Sequence, residues 1–407
     1  MIHTRPLGLV LCLLMMWLLS APAHADVANA PGANLEVALI TYGPGETYWE
    51  RFGHNALQLR DTVSGESVNF NYGEFDFNQQ DFFLNFARGR MNYLMGAAFT
   101  DEDESYYIDT GRSITRQRLA LDAAQAAALR DFLLWNLRPE NRGYNYDYYV
   151  DNCATRVRDA LDRVLGGALK AQLATRPGDM TYRQQTLRLM RAQPALMLLL
   201  DLGLGPYADH PLTLWQESFV PMVLQRAVGE VHIGAHALAA DSEIVSTNRL
   251  DTPPAHAPDL RGPLALAGVA IALALLAARR YWPTGFALLG MLFALAAGLV
   301  GVLLLGLWTL TTHHSAWANA NLLLFNPLAW LLLPTLWRAR QGVIAPRLID
   351  GVVALQMLAG MVAVALHLLP GVVQQNQPWL LFALPIWLAL ARSLRQPRRS
   401  LAQERGR

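Results

Sequence analysis

From residue 263 onward the chain changes character, and that change restricts the possible folds more than any other feature. Five apolar runs, at 264–278, 284–310, 322–337, 352–369 and 379–390, are separated by short polar breaks. Runs of this kind read as membrane-spanning helices, because a helix satisfies its own backbone polar groups in hydrocarbon; the first and fifth are short. Arginines follow the first run (Arg279, Arg280), the third (Arg338, Arg340) and the fifth, whereas the loops 311–321 and 371–377 carry none. The positive-inside rule therefore puts the arginine loops and the C-terminus in the cytoplasm and everything before residue 263 on the outer side. Composition agrees: 53% of residues are hydrophobic and only 16% charged, an imbalance that suggests membrane content. A net charge of +1, with no basic cluster on the soluble segment, leaves no footprint for nucleic acid.

The other end agrees with this orientation. Residues 1–25 read as a signal peptide: Arg5 supplies the basic start, 7–19 form an apolar stretch, and Ala21, Ala23 and Ala25 offer a small-residue cleavage site. The mature chain is then expected to begin near Asp26. Only two cysteines occur, Cys12 inside this segment and Cys153. After processing Cys153 would be the one thiol left, so no intramolecular disulfide is expected, and an exported lone thiol invites a chemical explanation.

From Asp26 to about Pro258 the composition is that of an ordinary soluble domain, of which 26–231 reads as the folded part. Alternation predicts strands at 35–41, 54–60 and 67–72, the last two forming a hairpin about Ser64-Gly65-Glu66. A helix is expected near 81–88, a strand at 113–121, and a helix from the cap Asp122 to Leu137, stopped by Pro139. The remainder to 231 reads as helical, broken by Pro194, Pro206, Pro211 and Pro221. Residues 232–262 read as a linker, 263–393 as the membrane domain, and 394–407 as an Arg-rich cytoplasmic tail.

Within the soluble domain, Tyr144–Tyr149 is an aromatic, strand-like run that leads into Asp151-Asn152-Cys153 and then apolar residues at helical spacing. Asp151 and Asn152 stand where an N-cap belongs, which puts Cys153 in the first helical turn. There the free N–H groups and the helix dipole favour a thiolate. Such a thiol needs a base and an orienting group. Of the histidines before the membrane runs, His54 opens a strand, the most rigid setting among them. On the neighbouring strand Asn69 and Asn71 share a face; Asn71 is the candidate orienter, with Glu74 and Asp76 as alternatives. The backbone N–H of Cys153, with a side chain such as Asn152 or Tyr42, would hold an oxyanion. In the 311–321 loop, on the same side of the membrane as Cys153, His313, His314, Asn319 and Asn321 are candidate substrate-side residues. The acidic run Asp101–Glu104 reads as a solvated helix start, and His232 with His236 lacks a third ligand; no metal site is expected.

Several motifs together resemble a known family. They are Trp49 with Phe52-Gly53-His54, Asn71-Tyr72-Gly73 with Phe75-Asp76-Phe77, Phe86-Ala87-Arg88-Gly89-Arg90, Tyr146-Asp147-Tyr148-Tyr149 with Asp151-Asn152-Cys153-Ala154-Thr155-Arg156, and Asn319-Ala320-Asn321 followed by Asn326-Pro327. The order of histidine strand before cysteine helix resembles the permuted papain-like fold of the lecithin retinol acyltransferase branch of the NlpC superfamily. Within it the motifs look like the Lnb family, whose namesake is the N-acyltransferase that makes lyso-form bacterial lipoproteins. The resemblance implies a periplasmic domain of that α+β fold, about five transmembrane helices, a place in the bacterial inner membrane, and a Cys153–His54 acyl-enzyme acting on acyl esters of lipids or lipoproteins without a cofactor. Two rival readings stay open on sequence alone: a cell-wall peptidase or amidase, and a non-catalytic membrane-anchored binding module with an inert thiol.

Overall fold

A computed structural model describes residues 26–75, 80–341, 347–369, 371 and 374–395. The expected signal peptide, Asp76, and the tail from 396 onward lie outside the described residues. The first part of the chain builds one antiparallel sheet from β1 (Leu35–Tyr42), β2 (His54–Asp61), β3 (Ser67–Phe75), β4 (Met91–Phe99), β5 (Ile114–Leu119), β6 (Gly143–Tyr146) and a late strand. Strand order is β6-β4-β3-β2-β1-β5 and then that late strand, 239–246. The β2–β3 hairpin forms where the sequence predicts it. Asp61 fixes its turn by accepting hydrogen bonds from the Val63 and Ser64 N–H groups.

Helices α1 (Phe82–Ala87), α2 (Thr100–Asp109), α3 (Ala123–Leu137), α4 (Cys153–Val164), α5 (Ala168–Leu173), α6 (Tyr182–Leu189), α7 (Pro194–Gly203), α8 (Leu214–Glu217) and α9 (Pro221–Glu230) complete this part. Pro194 and Pro221 open helices rather than break them, since the first turn of a helix needs no N–H donor there. One sheet face, with Val37, Leu39, Leu57, Leu59, Phe70 and Tyr72, is buried against α3, α4 and α9. The other face, with Ala38, Ile40, Tyr42 and Ala56, is covered by Tyr107 of α2.

The expected linker is partly structured. Residues 232–237 form the small hairpin β7 (His232–Ile233) and β8 (His236–Ala237), and β9 (Ala239–Ser246) joins the sheet beside β5. Its polar sequence gives no alternation because β9 is an exposed edge strand. It is held by its backbone ladder and by Arg116–Glu243 and Arg118–Asp241 pairs.

Among the described residues, five helical segments are long and apolar enough to cross a membrane: Arg261–Tyr281, Pro283–Leu310, Ala320–Ala339, Ile349–Leu366 and Gln377–Leu394. The third is irregular, with 3₁₀ turns at Ala320–Leu323 and Pro327–Leu332 before an α-helix, Leu333–Ala339. Pro327 removes a donor, and polar side chains take up the slack: Gln356 donates to the Leu323 carbonyl at 3.1 Å and accepts from Asn326 at 2.7 Å. Irregular backbone survives at membrane depth only when it is satisfied in this way.

A buried polar seam joins the two parts. Arg183 on α6 is clamped by Asp201 (2.8 Å) and Asp209 (2.7 Å), all three almost fully buried. Trp379 donates to the other Asp201 oxygen at 2.9 Å, and the Gln375 N–H donates to Asp209 at 3.1 Å. Asn319 and Asn321 belong here too. Both are buried and donate to the carbonyls at the C-terminal end of α7, Asn319 to Leu202, Gly203 and Leu204 and Asn321 to Leu202. They cap a helix across the interface, which corrects their expected place on the substrate side.

Candidate active site

Three chain segments converge at one end of the sheet. β2 begins with His54, β3 carries Asn71, and α4 begins with Cys153. The start of α4 is fixed by a capping box: Asn152 Oδ1 accepts from the Thr155 N–H at 3.0 Å, and Thr155 Oγ1 accepts from the Asn152 N–H at 2.8 Å. Room for the thiol comes from a bulge in β3 at Gly73. Its φ of 103° excludes most side chains, and a Cβ there would lie 3.9 Å from that of Cys153.

His54 Nε2 lies 2.9 Å from Asn71 Oδ1, and Asn71 Nδ2 donates to Asp103 at 3.1 Å. The second bond orients the amide, because only its NH₂ end can donate to a carboxylate. Oδ1 therefore faces the imidazole, so the proton of neutral His54 sits on Nε2. That leaves Nδ1 as the basic nitrogen for Cys153, to which His54 is also hydrogen-bonded. Burial works against charge on both groups. For His54 the negative thiolate and the bonds to Cys153 and Asn71 outweigh it, and the pKa is raised. For Cys153 the His54 charge and bond, with the Asn55 and Ala154 N–H groups, outweigh it, and the thiol is lowered. The arrangement favours a thiolate–imidazolium pair.

Asp103 is the residue sequence reading missed. Of its acidic run, Asp101 and Glu102 are exposed, but Glu104 turns inward to Arg116 (2.8 Å) and Asp103 anchors the histidine network. Asp103 also accepts from Asn69 at 2.9 Å and from the Tyr42 hydroxyl. The available signal was its i, i+4 spacing with Tyr107, which puts both on the inner face of α2. The Tyr107 ring stacks on Tyr42 at 3.5 Å and lies parallel to His54 at 6.3 Å.

The two side chains expected at the oxyanion are otherwise engaged. Asn152 spends its amide donors on the Tyr148 and Phe219 carbonyls, both at 3.0 Å, and Tyr42 spends its proton on Asp103. Both support the site from behind. Tyr144 is the nearby side chain with an unspent donor. Its buried hydroxyl has no hydrogen-bond partner among the described residues, and it points to the Gly73–Cys153 gap, 3.8 Å from where a Gly73 Cβ would be. Burial, and next the charge of Cys153, push its pKa up, so the proton stays available to donate. Asp151 contributes indirectly: it pairs with Arg156 at 2.7 Å, whose guanidinium covers the Tyr144 ring at 4.2 Å.

The 311–321 loop reaches this region from the membrane part. His313 stacks on Tyr148 at 6.1 Å and bonds the Phe86 carbonyl at 3.2 Å; His314 lies 3.5 Å from Asp147. Both histidines thus contact segments next to the site, Asp147 and Tyr148 lying in the turn before Cys153.

Fold and site together define a membrane-anchored protein with an α+β domain seated on five candidate membrane helices. Residues 24–191 match the Lnb N-terminal periplasmic domain, and residues 260–394 match the Lnb transmembrane domain. The chain belongs to the Lnb family. Neither a curated protein nor a solved structure matches it.

Proposed function

We propose that this protein is a thiol acyltransferase or acyl hydrolase at the outer face of the bacterial inner membrane, acting on acyl esters of lipoproteins or phospholipids. The observation that carries the reading is the Cys153–His54–Asn71 alignment, seated on a membrane domain that keeps it near lipid. The histidine strand preceding the cysteine helix supports a permuted papain-like domain.

In this reading the Cys153 proton passes to His54 Nδ1, and the thiolate adds to the ester carbonyl. The Cys153 N–H, which as the first helical N–H has no intrahelical acceptor, and the Tyr144 hydroxyl hold the oxyanion. As the tetrahedral adduct collapses, the C–O bond breaks and His54 protonates the leaving alcohol, which leaves a thioester on Cys153. An amine or water, deprotonated by His54, then attacks the thioester; the acyl group departs and the thiol is restored.

Intact-mass and peptide spectrometry of the purified full chain, quenched with acid during turnover on a diacylated lipoprotein, tests this. Wild type should carry one acyl chain on Cys153, labile to hydroxylamine, and Cys153→Ala none; an unmodified Cys153 with turnover intact would sink the reading. Tyr144→Phe should lower kcat by about 10²-fold, the usual cost of one oxyanion donor. Alkylation of Cys153 by iodoacetamide should keep its wild-type rate and pH profile, because that reaction develops no oxyanion.

A further inference from the structure

Helix α1 and the turn after it put large apolar and basic side chains side by side. Phe83 is 85% exposed and Leu84 47% exposed, and Arg88 and Arg90 are exposed as well. In a soluble protein such a cluster is costly. Its level is fixed by the membrane part. The Thr312 N–H and hydroxyl both donate to the Arg88 carbonyl, at 2.8 and 3.0 Å, and His313 bonds the Phe86 carbonyl. Gly89, with φ 78°, packs so closely on Thr312 that a Cβ would meet its hydroxyl at 2.7 Å. Thr312 lies two residues past the second span, and exposed Trp308 and Trp317 bracket the loop. Tryptophans of this kind sit at the headgroup level, so α1 is held where lipid headgroups meet acyl chains.

We propose that residues 83–90 dip into the outer leaflet, Phe83 and Leu84 among the acyl chains and Arg88 and Arg90 at the phosphates, and deliver a lipid chain to Cys153. The occupant is the phospholipid bilayer because this surface continues the lipid-facing end of the second span, where Leu310 is 76% exposed. Arginine beside apolar residues suits an anionic headgroup over hydrocarbon. Inward from α1 an aromatic path leads to the nucleophile: Phe75 packs on Tyr93 at 4.5 Å and Tyr93 stacks on Tyr146 at 4.2 Å, on the strand leading into Cys153. Delivery to Cys153 rests on the acyl chemistry proposed above; the insertion does not.

The test uses the full chain reconstituted in phosphatidylethanolamine–phosphatidylglycerol vesicles, with Cys12 and Cys153 replaced by serine. A bimane label at Phe83→Cys should be quenched by lipids spin-labelled high on the acyl chain, as a label at Leu310→Cys is. A label at Val63→Cys, on the β2–β3 turn at the opposite end of the strands from His54, should not be. A residue-83 label as solvent-exposed as the one at 63 would overturn the proposal. In the native-cysteine protein, Phe83→Asp with Leu84→Asp should slow alkylation of Cys153 by a bilayer-dissolved hexadecyl iodoacetamide about tenfold or more and leave alkylation by iodoacetamide unchanged. An equal effect on both reagents, or none on either, would overturn it as well. Neither readout requires turnover, so the proposed reaction can fail while this surface stands.

Discussion

Replacing His54 with alanine is expected to lower acyl transfer by about 10⁴-fold, near the upper end of what a positioned acid–base group supplies. The size follows from the double use of one side chain. In the proposed reaction His54 takes the thiol proton through Nδ1, and as the imidazolium it later protonates the leaving group. Its loss also removes the main force that keeps Cys153 ionised against burial, leaving only the Asn55 and Ala154 N–H groups. The midpoint of iodoacetamide alkylation against pH should therefore move upward in the variant. In wild type the reactive form spans a window: it disappears as pH falls through the lowered Cys153 value, and the pairing disappears as pH rises through the raised His54 value. An unchanged alkylation profile in His54→Ala would show that the imidazole does not govern the thiol.

Arg183→Met should destabilise the protein by roughly 3–5 kcal/mol, the usual result of removing one partner from a buried ion cluster. Two carboxylates, Asp201 and Asp209, would be left facing each other almost without solvent. Because the same carboxylates accept from Trp379 and Gln375, the damage should also loosen the two parts from each other. Thermal unfolding in detergent, with limited proteolysis between residues 204 and 213, measures both effects. Adding Asp201→Asn and Asp209→Asn to Arg183→Met should recover part of the loss, since neutral amides cost less to bury than unpaired charges. A single variant as stable as wild type would mean that the seam contributes little.

What could be read from sequence followed the strength of each local signal. The hairpin carrying His54 and Asn71 announced itself through alternation and a Ser-Gly turn. The helix start at Cys153 did so through its cap, and the spans through hydropathy. β9 gave no sign because an exposed edge strand has no apolar face to alternate. Asp103 was hidden for the opposite reason: it follows two acidic residues, Asp101 and Glu102, that do face water, and its spacing from Tyr107 was the one local hint that its carboxylate turns inward. Asn319 and Asn321 had the polarity of a substrate loop, and nothing local says that their amides cap α7, more than a hundred residues earlier in the chain. Tyr144 was one of several tyrosines in a run, and its place depends on the Gly73 bulge in another strand.

The N-terminal domain meets the membrane part at several separated places, among them the capped end of α7, the Asp147–His314 contact and the turn at Arg88–Gly89. A body fastened at several points cannot swing about any one of them. The altitude of Cys153 above the bilayer is thereby set by the scaffold. In the proposed reaction the thiol would then act as a depth gauge: a carbonyl would have to rise to that fixed level to react, and esters would be selected by how far they stand from the membrane midplane before any headgroup is recognised.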